Sequence, residues 1–189
     1  MIRIFFVVAV LMGLYGCSSA PNKIPNPFAP YQLMSPEKTA YDGKKNYRLG
    51  GINVTLDQMR INERFPDAKG LEQIFSAMLT DRLEKIGALA APDSDAISLD
   101  LDITYKRIFF GEEFGFSKGF ASSIFKYGSE LKCGDKVCAN YRSYEYFANK
   151  GLAGNLLKIG KQLTMTGSPD DELSEIAIYV DEIMNNLPK

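Results

Sequence analysis

The chain is 189 residues long, with 22 lysines and arginines against 23 aspartates and glutamates, three cysteines, and neither histidine nor tryptophan. A net charge of −1 offers no basic field to a phosphate backbone, so nucleic acid is not an expected partner. The absence of histidine rules out imidazole-based triads and metal centres and removes the usual proton-transfer side chain near neutral pH. An apolar fraction of 46% fits one ordinary globular domain.

The N-terminus reads as an address. Arg3 precedes an apolar run from Ile4 to Tyr15, and small Gly16 stands just before Cys17. That order of a charged residue, a short apolar stretch and a small residue is the pattern of a secretory signal over residues 1–16. The run is shorter than the roughly 20 apolar residues that a membrane span requires. Leu14-Tyr15-Gly16-Cys17 resembles the lipobox of bacterial outer-membrane lipoproteins, in which the cysteine is lipidated. Tyr15 is bulkier than the residue usual at that place. By the same resemblance Cys17 becomes the first mature residue, and Ser18 after it implies sorting to the outer membrane. Several acyl chains on one residue give stable anchoring, each buried methylene contributing about 0.8 kcal/mol.

Residues 17–46 form a tether with Pro21, Pro25, Pro27, Pro30 and Pro36, a spacing that disfavours helix and prefers extended chain. Its two readings are a flexible spacer and a segment that orders on a partner. From 47 to 189 the pattern becomes periodic. Ile52, Val54 and Leu56 alternate with polar residues as in a half-buried strand. Leu71, Ile74, Phe75, Met78, Leu79, Leu83 and Ile86 then fall on one helical face, with Asp67 as cap and Gly87 to end it.

Ile97, Leu99, Leu101, Ile103 and Tyr105 make the cleanest alternation in the chain. Two further strands, 122–133 and 137–148, flank Gly134-Asp135-Lys136 as a hairpin. A short helix near 152–159 is expected. The last helix opens at Ser168-Pro169-Asp170-Asp171, with an apolar stripe of Leu173, Ile176, Ala177, Val180, Ile183, Met184 and Leu187. The order β-α-β-β-β-α predicts an α+β two-layer sandwich, an antiparallel or mixed sheet with both helices on one face. As an element order over residues 47–188, this plan is similar to LPS-assembly-lipoprotein-like proteins and auxiliary lipoproteins of envelope transport systems. The similarity carries no functional residues across.

Cys133 and Cys138 flank the hairpin turn, and in an oxidising compartment they are expected to form a structural disulfide. The stretch 107–120 interleaves Phe109, Phe110, Phe114, Phe116 and Phe120 with glycines. Either several of these rings fold back as core, or the loop is a contact element that inserts into a partner groove or the membrane surface. Tyr141, Tyr144 and Tyr146 read as cross-strand packing or a docking surface. Asp170, Asp171, Glu172, Glu175, Asp181 and Glu182 read as helix capping and a solvated face, although a carboxylate pair for glycan cleavage could lie among them.

No nucleophile–base motif and no cofactor site is apparent. The expected function is that of a non-catalytic lipoprotein, anchored to the membrane through Cys17 with its domain in the periplasm. It would serve as an adaptor or stability subunit of an envelope protein complex. The alternatives are a carrier of lipid or a small apolar ligand, and a carboxylate-dependent enzyme acting on peptidoglycan or another glycan.

Overall fold

A computed structural model describes residues 46–91, 95–112, 115, 119–145, 147–148, 150–151, 161 and 166–188. The expected signal segment, Cys17, almost all of the tether, Phe114, Phe116, Tyr146 and the short helix near 152–159 lie outside the described residues. The elements are β1 (Tyr47–Asp57), α1 (Ala68–Lys85), β2 (Ile97–Phe109), β3 (Phe120–Cys133), β4 (Lys136–Arg142) and α2 (Pro169–Asn185). This is the expected α+β order.

The four strands lie in the order β1-β2-β3-β4, and the sheet is mixed. β1 runs parallel to β2, because α1 carries the chain back between them, whereas β2, β3 and β4 form an antiparallel meander. Asp67 caps α1 by accepting a 2.7 Å hydrogen bond from the Gly70 N–H, and Gly87 leaves the helix at φ 68°. At α2, Ser168 and Asp171 form a reciprocal capping box, and Pro169 stands in the first turn.

Both helices cover the same face of the sheet. Leu71, Phe75, Leu79 and Leu83 of α1 and Ile176, Tyr179, Val180 and Ile183 of α2 share one core with Leu99, Leu101, Ile103 and Tyr105. Stacked rings fill its centre: Phe125 lies 5.7 Å from Phe75 and 4.4 Å from Tyr179.

Several expectations need correction. β4 stops at Arg142 rather than at 148, because the next residue turns its hydroxyl inward to accept the Tyr127 N–H. Tyr144 therefore leaves the sheet and is 78% exposed, while Tyr141 stays on β4 with its ring 5.6 Å from that of Tyr127. The stripe of α2 is also rotated from the expected one. Glu172, Glu175, Tyr179 and Glu182 are buried, whereas Leu173, Ala177, Met184 and Leu187 are only half-buried.

Cys133 and Cys138 are joined by a disulfide across the two-residue turn, with their Cα atoms 5.8 Å apart. Closing so short a loop removes little chain entropy. Replacing both cysteines by serine should therefore lower stability by only about 2 kcal/mol in urea denaturation.

Candidate functional site

The alternation of β2 continues past Tyr105, which places Arg107 and Phe109 on the helix-facing side. A cation thus enters the core, 1% exposed. The described structure meets it on every nitrogen. Arg107 Nε donates to Glu172 Oε1 at 2.6 Å, Nη1 to Gln58 Oε1 at 2.8 Å, and Nη2 to the Pro66 carbonyl at 2.7 Å. The guanidinium also lies 5.6 Å and 5.9 Å from the ring centres of Phe65 and Phe109. One side chain thereby ties β2, the β1–α1 connection and the first turn of α2 together.

One helical turn further, Glu175 accepts from the Ser123 N–H at 2.9 Å and from its hydroxyl at 2.8 Å. Lys150 approaches the same carboxylate at 3.6 Å. The Tyr179 hydroxyl donates to the Ser123 carbonyl and accepts from the Ala148 N–H, at 3.0 and 3.2 Å. Burial pushes the Glu172 carboxyl above its ordinary value, against the opposing hydrogen bond and charge of Arg107. Burial raises Tyr105 as well, aided by the nearby Glu172 charge.

Glu172 and Glu175 are 1% and 0% exposed, so this acid cluster works inside the core as a fastening between helix and sheet. The expected solvated face of α2 holds for Asp170, which is exposed, and for Asp181, which pairs at 2.8 Å with Arg82. It fails for Glu172, Glu175 and Glu182.

The phenylalanines separate. Phe109 and Phe120 are 2% and 3% exposed and pack on Phe65 as a second small core, at 5.0 and 6.3 Å between ring centres. They have no surface to offer a partner, because β2 ends and β3 begins further into the stretch than a free loop requires. Phe110 is half-buried. Met59 and Ile61, in the β1–α1 connection, are 73% and 84% exposed, and nothing in the alternation or helical spacing singled them out.

Among the described residues, the opposite face of the sheet carries no helix. Asn53, Asp100, Asp102, Gly128, Glu130, Lys132, Asn140 and Arg142 help to line an open trough of about 850 Å³ there. Asp100 is its best-held acid, accepting from Lys132 Nζ at 2.6 Å and from the Gly51 N–H at 2.7 Å. A side chain on Gly50, beside the irregularity between Leu49 and Ile52, would sit 1.9 Å from the same carboxylate and 2.8 Å from Ser98 Oγ, so those two side chains would have to swing aside.

The Lys132 and Gly51 hydrogen bonds hold the Asp100 carboxyl below its ordinary range. Its contribution to stability is present above that range and lost as the pH falls through the depressed value. Asp100→Asn should therefore be less stable than the parent at pH 7, and the difference should shrink on titration towards pH 3. Among the described residues no three acids or cysteines gather into a metal-holding group.

No family model matches the chain, and no curated protein does. Solved structures that align with most of it include the following two. Rare lipoprotein B from Shewanella oneidensis shares 11% identity over 69% of this chain and 92% of its own, with a TM-score of 0.29. A Xanthomonas campestris protein of the DUF330 family shares 9% identity over 76% of this chain and 89% of its own, with a TM-score of 0.35. Neither likeness carries the functional reading, which rests on the chain's own residues.

Proposed function

We propose that this protein is a non-catalytic lipoprotein of the bacterial outer membrane, held by acyl chains on Cys17. Its α+β domain works in the periplasm as an adaptor or stability subunit of an envelope protein complex. The observation that carries the reading is the apolar run Ile4–Tyr15 ending at Leu14-Tyr15-Gly16-Cys17, followed at once by a proline-rich tether. The Cys133–Cys138 disulfide is consistent with an oxidising compartment. The ring-filled interface between helices and sheet leaves the described core closed, which favours an adaptor over a carrier. The buried pair Glu172 and Glu175 offers no open face to a glycan.

The test is affinity capture of the detergent-solubilised, lipidated protein from its native envelope, with Cys17→Ala as control. One envelope complex recovered in fixed stoichiometry, and loss of membrane fractionation in the control, is the expected result. Recovery of the lone protein would overturn the adaptor reading.

A further inference from the structure

The two edges of the sheet are treated differently by the fold. At β1 the edge is covered. The Tyr47 N–H donates to the Ala88 carbonyl at 2.8 Å, and the Ala90 N–H returns to the Tyr47 carbonyl at 2.9 Å. Further along, the Val54 N–H is taken by Glu72 Oε1 at 3.2 Å. At β4 no further strand pairs among the described residues, and every residue of the strand is exposed except half-buried Ala139. A bare edge is a template for another extended chain.

This edge is also held in shape at both ends. The disulfide fixes the turn end, where Val137 and Cys138 meet the register shift opposite Leu131 and Lys132. At the other end the Ser143 N–H donates to the Tyr127 carbonyl at 2.8 Å, and the Tyr127 N–H donates to Ser143 Oγ at 2.8 Å. Because Ser143 turns its N–H inward, strand alternation turns the N–H and carbonyl groups of Asn140 and Arg142 outward. Val137 and Tyr141, 50% and 37% exposed, stand along the same strand as apolar footholds.

Charge selects the occupant. β4 carries Lys136 and Arg142 and no acid, and neither cation forms an ion pair among the described residues. Pairing two copies antiparallel over the whole strand would set Lys136 against Arg142 at both ends, which disfavours self-association. We propose that β4 is a docking edge for an extended acidic segment of a partner polypeptide, which adds a fifth strand to the sheet. The proposal deepens the adaptor reading and rests on it for the identity of the partner as a polypeptide.

The mature chain carrying Cys17→Ala, mixed with a synthetic peptide of alternating valine and glutamate, tests this. Fluorescence anisotropy should show binding, and the amides of Asn140 and Arg142 should exchange at least tenfold more slowly in the complex. Asn140→Pro removes one outward N–H while sparing the ladder to β3, and should weaken binding at least tenfold. Asn140→Ala, which keeps the N–H, should bind as the parent does. The double variant Lys136→Glu/Arg142→Glu should transfer preference to a valine–lysine peptide, and it keeps the test sharp even if the proline variant does not fold.

The inference is overturned by absence of binding at millimolar peptide or by protection elsewhere in the chain. It is equally overturned if the proline variant binds normally or the charge-reversed variant keeps its preference. In native-envelope capture, recovery of the same complex by parent and charge-reversed protein would sink the edge and leave the adaptor standing. Failure of the parent to recover any complex would sink the adaptor alone, since the peptide experiment still judges the edge.

Discussion

Arg107→Ala should destabilise the domain by about 3–5 kcal/mol, because it leaves the buried Glu172 carboxylate without its cation. Gln58 Oε1 and the Pro66 carbonyl lose their donors in the same step. For a domain of this size that is roughly 10–15 °C in Tm, measurable by calorimetry. Replacing both partners, Arg107→Met with Glu172→Leu, should recover much of the loss, since no charge is then stranded.

The effect also has a pH signature. Burial already raises Glu172, and without Arg107 only the weaker hydrogen bond from Tyr105 opposes it, so the folded variant binds a proton more tightly than the unfolded chain. Stability of Arg107→Ala should then fall as pH rises from the ordinary glutamate range, about 4.3, through the raised folded value. The deficit against the parent should be smallest in mild acid and largest near pH 8. A deficit independent of pH would place the damage in packing alone.

Gly167→Ala is the second large effect. A side chain there would sit 1.6 Å from the Phe120 carbonyl oxygen and 2.6 Å from its carbon, so one of two backbones must move. The approach is close because the Phe120 N–H donates to the Gly167 carbonyl at 3.1 Å, tying the start of β3 to the approach to α2. Displacing that contact should cost about 3 kcal/mol by urea denaturation. Near-UV circular dichroism should change as well, because Phe120 packs against Phe65.

Neither residue announced itself in the sequence. The strands from Ile97 to Tyr105 and the two helices were legible because their apolar residues recur with a clear period and their caps stand at the right offsets. Arg107 and Glu175 keep the same periods with the wrong polarity, so a reading by hydropathy assigns both to solvent. What makes their burial tolerable is tertiary: Glu172 answers Arg107 across 65 residues, and Ser123 answers Glu175 across 52. The rotated stripe of α2 follows from the same pairings, which turn Glu172, Glu175 and Tyr179 inward. Phe109 and Phe120 were countable as aromatics, but only the length of β2 and β3 decides that they point into a core. The trough was illegible because it belongs to four strands at once.

The bond between the Tyr47 hydroxyl and the Pro188 carbonyl joins positions 141 residues apart. Contacts that distant in sequence pay the largest loop-closure entropy, whereas the β2–β3–β4 meander is built from near neighbours. Assembly of the domain should accordingly begin at the meander and finish at the seam between β1 and the end of α2. That seam is also where Asn46 leads the chain into β1. The meander can therefore be complete while β1 still waits for Pro188 to reach it.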